Sequence, residues 1–455
     1  MNVVKLLPLL LAAGCAAVGP DYERPQMALQ QDFVGGTSGT SGPVAQVAAK
    51  AWWQDYRDPM LSDLIARGLS QNLDVAAARE RIRQAEANLR ATGVNAALDG
   101  ALDASRTRSG GEASAISTAS ASDLSASLVL DMFGGIRREQ QAAAANLSAA
   151  RSDLQQARLA WLADLVAAYS DARYYQQALA LSRDTINSRV ETVRVTQDQY
   201  DAGAETEYNL AQAQALLDAA RADLPGYHAQ FNANVFALAT LLNKPAGPLM
   251  AQMEKGAPQL RTPAGGATGV PADLLRNRPD VRYYEQLLQA AVADVGVAEA
   301  DRLPSLTLSG DLGVTSGTSS WSFGPALSLP LLNQGLLSAK RDAAISEARQ
   351  AEIDWRSSVR GAVEDVQVAQ SNLSLYRQKS NALQTSAASY ERALGLARDN
   401  YRGGAITLLD LLDTDRSAAS ARISAASARN DAAKQWATLQ IAIGAGAGVS
   451  ATGGS

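Results

Sequence analysis

Two carboxylates and a guanidinium stand at regular spacing near the C-terminal end of the chain: Asp410, Asp413 and Arg416, each three residues from the next. On a helix that spacing puts all three on one face, and Arg416 can pair with Asp413. Two acids on one face repel each other, attract cations and are held by a cationic partner. The same residues also fit a solvated helix face, or an acidic first turn that complements the helix dipole. Other reactive residues are few. One histidine, His228, and one cysteine, Cys15, supply no ligand set for zinc, haem or an iron–sulfur cluster, and no disulfide can form within a chain. His228 beside Tyr227 reads as a surface or packed residue, and Met250 with Met253 is too small a set for a soft-metal site. No nucleophile–base set, phosphate loop or paired-carboxylate cleft is recognisable. The reading is a chain with no catalytic residue, no metal and no enzymatic activity.

The element that must position the acids is Tyr401 to Arg416, Y-R-G-G-A-I-T-L-L-D-L-L-D-T-D-R. A long helical pattern enters it and another leaves. Gly403 and Gly404 break the helix, because glycine most readily takes a positive φ after a helix C-terminus. Thr407 follows as the expected N-cap of the next helix. Tyr200, Gly203 and Thr206 lie 201 positions before Tyr401, Gly404 and Thr407. One helical turnaround is used twice, and only the second copy carries the aspartates.

At 455 residues the chain could hold two or three ordinary domains. Only 5% of residues are aromatic, which suits close-packed extended helices better than bulky cores. A net charge of -5 argues against a nucleic-acid partner. Residues 1–14 read as a signal peptide, with Lys5, the short apolar run Leu6 to Ala13 and small residues before Cys15; the run is too short to span a bilayer. Small residues before a lone cysteine resemble a lipobox. That implies cleavage before Cys15 and a covalent lipid on its thiol, the only cofactor expected. Leu11 lies one place further back than in the usual motif, and Ala16 after the cysteine favours outer-membrane sorting.

Residues 15–57 read as an extended lipidated arm with a flexible patch at 35–42, ending at Trp52 and Trp53, expected packing anchors. The first repeat, 58–243, opens with Asp58 as N-cap and Pro59 at the first helical position. A second helix begins near Asn72 and Asp74 and runs towards Ala97. A β-hairpin follows at about 101–130, its clearer strand the period-2 run Leu124, Ala126, Leu128, Leu130. Ser109 to Ser122 reads as a Gly/Ser-rich loop. A helix over about 136–202 would be roughly 100 Å long. Leu162, Leu165, Tyr169, Ala172, Gln176 and Leu179, then Ile186, Val190, Val193, Gln197 and Tyr200, keep the 4-3 spacing of a coiled-coil seam. A helix over about 206–243 completes the repeat, with a kink expected at Pro225-Gly226. Residues 244–270 read as a linker and a partly ordered middle segment. The second repeat, 271–443, has a hairpin at about 303–329, a long helix at about 334–402 and a last helix at about 407–443. Its seam is Leu383, Ala387, Tyr390, Leu394, Ala397 and Tyr401. A flexible tail, 444–455, closes the chain.

The strands alternate apolar with small polar residues over about nine to eleven positions, the length of a membrane strand. Trp321 and Phe323 fit an aromatic girdle. Outside the signal, no apolar run approaches the ~18 to 20 residues of a transmembrane helix. A mature chain that spans a membrane must therefore use strands, and four strands cannot close a barrel, so copies must assemble. Two soluble hairpins packed on helices are the alternative that periodicity leaves open.

Specific segments resemble the outer-membrane efflux channels, or TolC-like proteins, and within them the NodT-type lipoprotein branch that works with resistance-nodulation-division pumps. They are Gly14-Cys15, Gly19-Pro20-Asp21-Tyr22-Glu23-Arg24-Pro25, Trp52-Trp53, Asp58-Pro59 with Leu61 and Leu64, and Asn72-Leu73-Asp74. Arg278-Pro279-Asp280-Val281, Leu303-Pro304 and the stretch Tyr401 to Arg416 complete the match, which runs in order along nearly the whole chain. The resemblance implies a mainly α fold with a membrane β-barrel contribution: a tandem repeat of long α-helical hairpins and β-hairpins, four strands per chain. It closes as a homotrimeric 12-stranded barrel on an α-helical tunnel. It implies an outer-membrane location, a lipid anchor, a periplasmic adaptor protein and an inner-membrane pump that supplies the energy. The activity implied is passive export of drugs or other small toxic compounds. A channel for type I protein secretion and a soluble periplasmic scaffold or adaptor are the alternatives.

Carried onto this chain, Asp410 and Asp413 match acidic residues that constrict the periplasmic tip, where a trimer makes each a ring of three carboxylates. Tyr401 and Arg416 match tip-closing contacts, and Gly203, Gly403 and Gly404 are the tip turns. The chain departs at Ile406, where some relatives carry arginine, and at Asn209, Gln212 and Ala215, the first-repeat counterparts of Asp410, Asp413 and Arg416. Glu205 and Glu207 are the candidates for first-repeat charge. This asymmetry leads to the expectation that the second hairpin moves while the first serves as a frame.

Overall fold

Caps and left-handed turns divide the chain into one order of elements used twice. In the computed structural model, which describes residues 17–26, 48–112, 114–264 and 278–449, a 3-10 turn over Trp52–Tyr56 precedes α1 (Pro59–Gln71) and α2 (Leu73–Arg90). A four-residue helix, α3 (Val94–Ala97), leads into β1 (Leu98–Gly111) and β2 (Ser114–Leu130). Then come α4 (Gly135–Asp201), α5 (Glu207–Leu241) and α6 (Ala246–Met253). The second half runs α7 (Pro279–Ala300), β3 (Ser305–Thr315), β4 (Thr318–Ser328), α8 (Gln334–Arg402) and α9 (Leu408–Ala442). Cys15 and the lipid expected on it, the patch at 35–42, residues 265–270 of the linker and residues 450–455 of the tail lie outside the described residues. Among the described residues, no helix is long and apolar enough to cross a membrane.

The chain divides into two units. The first comprises Met1–Ala28, Ala78–Leu154 and Pro279–Arg360. Its centre is an antiparallel four-stranded sheet in the order β1-β2-β3-β4. Register places Leu102 opposite Leu124, Leu124 opposite Leu312, and Leu312 opposite Trp321. Because side chains alternate across a strand, this row and those two residues away make one apolar face. The intervening rows are polar, with Asp103 opposite Asp123 and Ser125 opposite Asp311. Trp321 is 78% exposed and Leu102 73% exposed, so the apolar face is uncovered in the single chain. Among the described residues, β1 and β4 each leave one edge without a strand partner.

The loop expected from Ser109 to Ser122 is corrected: residues 114–122 are strand, paired with β1. Serine, threonine and alanine side chains alternate well enough to sit on a pleated ladder, and the backbone hydrogen bonds do not require bulky apolar partners. The helix expected to reach Ala97 also breaks, between Arg90 and Val94, where Gly93 takes φ 71°. After β2, the Asp131 carboxylate accepts the Ile136 and Arg137 amides and caps α4. Residues 17–26 of the arm fold onto the same unit. Arg138, buried, donates to the Val18 and Gly19 carbonyls and pairs with Asp21 at 2.9 Å. Arg24 grips Glu285 through two bonds of 2.6 Å.

The second unit comprises Leu29–Ala77, Gln155–Arg278 and Gly361–Ser455. Trp52, fully buried, meets Trp436 edge to face at 5.6 Å, and Tyr56 donates to the Ala433 carbonyl. Asp58 accepts the Leu61 amide as the N-cap of α1 and also receives the Tyr169 hydroxyl at 2.8 Å. Asn72 caps α2 through the Val75 amide and donates to the Leu241 carbonyl. Pro225 lies inside α5, which continues through it. The segment read as linker holds α6, tied to α4 where Gln176 donates to the Met253 carbonyl at 2.8 Å.

The tail is a second correction. The Gly446 and Gly448 amides donate to the Ala48 carbonyl, and the Trp52 indole donates to the Ala445 carbonyl. Glycine there allows close packing, since a Cβ on Gly446 would sit 3.0 Å from the Trp52 indole nitrogen. The end of α9 repeats the end of α5, with the left-handed turn at Gly444 standing 201 residues after Asn243.

The seam is corrected as well. Leu162, Leu165, Tyr169 and Ala172 are buried as expected, but Val190 and Tyr200 are exposed. The buried line of α4 continues instead through Ser182, Arg189 and Thr196, seven residues apart. On α8, Ala387, Leu394, Ala397 and Tyr401 are buried while Tyr390 is not.

Candidate functional site

The site is the pair of helix turnarounds in the second unit. Both are built alike. Gly203 and Gly404 take φ 75° and 72°, and the following amides, Ala204 and Ala405, reach back to the Gln199 and Asn400 carbonyls. This closure satisfies carbonyls that the helix end leaves open. Gly403 does not share the role: its amide still bonds to the Asp399 carbonyl and its φ is not positive. The expectation that both glycines break the helix therefore narrows to Gly404. Thr206 and Thr407 then cap the outgoing helices through the Asn209 and Asp410 amides.

The two copies differ in what the residue three after the cap does. Asp410 returns its carboxylate to Thr407, accepting the hydroxyl at 2.6 Å and the amide at 3.1 Å, a full capping box. Those bonds from Thr407 hold the Asp410 carboxyl below the usual carboxylate range. Asn209 cannot accept in that way with its amide nitrogen, and instead donates to Glu205 at 2.6 Å. Glu205 also takes the Tyr401 hydroxyl at 3.2 Å. Glu207 lies exposed in the first turn of α5.

Tyr401 is 4% exposed and packs with Leu394, Leu408, Leu411 and Leu412. Its hydroxyl also lies 3.2 Å from Thr196 Oγ1. Burial pushes its phenol above the ordinary range, and the charge of Glu205 adds to the shift. Asp413 and Arg416 form an exposed pair within α9. The expected residues are thus gathered at one end of two hairpins, but with different duties: Asp410 caps, Tyr401 links the hairpins, and Asp413 with Arg416 stays on the surface.

Two further residues were not singled out by sequence. Arg189 and Asp415 are buried and paired at 2.7 Å. The available signal was the seven-residue spacing of Ser182, Arg189 and Thr196, which puts an arginine in an otherwise small-residue seam. Arg189 also donates to the Leu216 carbonyl at 3.0 Å. Arg398 donates to Ser188 and approaches Asp415 at 3.9 Å. The arrangement holds charge and hydrogen bonds in place at a helix-bundle end; it aligns no nucleophile with a base.

Comparison with known proteins places this architecture. The family model described as "Outer membrane efflux protein" matches residues 64–244 and 270–445, one stretch in each repeat. Nodulation protein T of Rhizobium leguminosarum bv. trifolii is 39% identical over 451 residues, covering 96% of both chains. The pyoverdine export outer membrane protein OpmQ of Pseudomonas putida is 30% identical over 433 residues, covering 90% of each. Among solved structures, the open state of the Neisseria gonorrhoeae MtrE outer membrane channel superposes with a TM-score of 0.79 at 28% identity, over 95% of this chain and 98% of that one. A family match across both repeats, a near full-length relative at 39% identity and the shared helix-and-strand order agree, and the chain belongs to the outer membrane efflux protein family.

Proposed function

We propose that this protein is the outer-membrane duct of a tripartite efflux pump. Three copies contribute four strands each to one 12-stranded barrel, and the helices continue it as a periplasmic tunnel. The observation that carries the reading is the sheet: one apolar face, one polar face and, among the described residues, two unpartnered edges in a single chain. An apolar face that size is unstable in water, and open edges are unstable in lipid. Closure with copies of itself removes both defects. The polar rows then face a water-filled lumen.

Membership in an efflux family supports transport rather than catalysis. A relative named for pyoverdine export supports a small-molecule cargo. The cargo class is small toxic compounds or other small exported molecules. Energy enters through an inner-membrane resistance-nodulation-division pump and reaches the duct through a periplasmic adaptor. Cys15 carries lipid that anchors the arm in the outer membrane. Asp410, Asp413, Arg416 and Tyr401 form the periplasmic constriction, with three copies of each acid around the tunnel axis.

Deletion of the gene, followed by drug, solvent and siderophore susceptibility tests, measures export directly. Fractionation of tagged protein should recover a heat-resistant trimer in the outer membrane. A monomer in the soluble periplasmic fraction would exclude the duct. For the constriction, Asp410→Ala with Asp413→Ala should raise single-channel conductance; unchanged conductance in a correctly assembled trimer would remove the gate assignment.

A further inference from the structure

The tip contains one buried ionic node, and it joins all four helices of the two hairpins. Arg189 of α4 pairs with Asp415 of α9 at 2.7 Å and donates to the Leu216 carbonyl of α5 at 3.0 Å. Arg398 of α8 lies 3.9 Å from the same aspartate and donates to Ser188 of α4. Arg189 is 8% exposed and Asp415 5% exposed. The remaining polar contacts of the tip are of another kind. Asp413–Arg416 and Glu191–Arg194 lie within single helices and are exposed. Arg402–Glu191 joins α8 to α4 at 3.7 Å but lies on the surface. The Tyr401 hydroxyl makes single hydrogen bonds. A half-open pocket of about 90 Å³ adjoins the node, between Glu191, Thr192, Val195, Tyr401, Arg402 and Leu411.

These differences set where the bundle can yield. Separating an exposed pair costs little, because water and salt replace the partner. Separating a buried pair leaves uncompensated charge in a poorly solvated site. Beyond the node towards Gly203 and Gly404, the hairpins meet through an apolar cluster, single hydrogen bonds, the exposed Arg402–Glu191 pair and an open pocket, which repack with less loss.

Resting on the gate reading above, we propose that Arg189 and Asp415 are the fulcrum of the tip. They are positioning residues that keep the two hairpins of one chain together at their level, so that opening bends only the terminal turns beyond them. The second hairpin therefore does not swing as a whole against the first.

The test uses the full-length trimer in proteoliposomes. Spin labels are placed at Ala405→Cys, in the exposed turn beyond the node, and separately at Thr385→Cys, before it. Opening is forced by Asp410→Ala with Asp413→Ala. The expected result is wider distances between subunits at 405 and unchanged distances at 385. Equal widening at both leaves the gate standing and overturns the fulcrum. No widening at either, with unchanged conductance, removes the gate and the fulcrum with it. In parallel, Arg189→Gln and Asp415→Asn should each raise closed-state conductance about tenfold or more, the factor that ~1.4 kcal/mol of lost coupling produces. The swapped pair Arg189→Asp with Asp415→Arg should return it towards the starting value. If heat-resistant trimer is lost in the single variants, Arg189→Lys supplies the reading: retained charge should give a smaller rise and extend widening to position 385. Trimeric single variants with unaltered conductance would overturn the proposal.

Discussion

Asp410 is the third residue after the Thr407 cap that opens α9. Its carboxylate is engaged by the Thr407 amide and hydroxyl, so its first effect is on the start of α9. The depressed acidity fixes the sign of a pH response. A lowered carboxyl contributes stability above its unfolded value of about 3.9, and that contribution is lost as pH falls through the lower folded value. Hydrogen-exchange mass spectrometry, corrected for intrinsic rates, should therefore find the turn at residues 403–412 equally protected at pH 7 and pH 5, losing protection only on further acidification. Loss of protection already near pH 5 would mean that Thr407 does not hold the carboxylate. Tyr401 belongs to the same scale. Tyr401→Phe keeps the ring in its apolar cluster and removes the links to Thr196 and Glu205, with an expected loss of about 1 kcal/mol read from thermal dissociation of the proposed trimer.

At the scale of elements, the two glycines of the second turn separate cleanly. Gly404 takes φ 72° and Gly403 does not. Gly404→Ala should destabilise by about 1–2 kcal/mol, the cost of a left-handed non-glycine residue. Gly403→Ala should be neutral or stabilising, since alanine favours helix and the added Cβ would meet only the Asp399 and Asn400 carbonyls at 3.5 and 3.6 Å. Paired melting curves of the two variants decide this; an equal loss for both would contradict the assigned turn. A similar argument applies to the aromatic knot. Trp52 brings together the 3-10 turn, α9 through Trp436 and the chain end through Ala445. Trp52→Ala should cost about 3–5 kcal/mol and should release residues 444–449 to exchange, while Trp321→Ala, on the uncovered sheet face, should leave that exchange unchanged.

On the scale of the whole molecule, the duplication explains both economy and difference. Left-handed turns recur at an interval of 201 residues, at Gly203 and Gly404 and again at Asn243 and Gly444. One copy then closes its cap with Asp410 and the other ties Asn209 to Glu205. The proposed trimer brings the sheet edges of neighbouring copies together. Cysteines placed in pairs along β1 and β4 should crosslink between copies with a two-residue alternation, as strand pairing requires. Crosslinks without alternation, or only within a copy, would contradict barrel closure.

Much of this was legible in the order of residues. Periodicity separated strands from helices, Asp58-Pro59 and Thr407 marked helix starts, and the spacing of Tyr200, Gly203 and Thr206 against Tyr401, Gly404 and Thr407 exposed the repeat. These are local signals, set by backbone preference and by which side chains share a face. Three things were decided only in three dimensions. The serine-rich run 114–122 became strand because β1 offered it a ladder, and the glycine-rich end was ordered by Ala48 and Trp52. Arg189 found Asp415 across 226 positions. No local pattern encodes a partner that distant: an arginine in a seam is disfavoured by its own desolvation, and only the facing helix supplies the carboxylate that makes its burial tolerable.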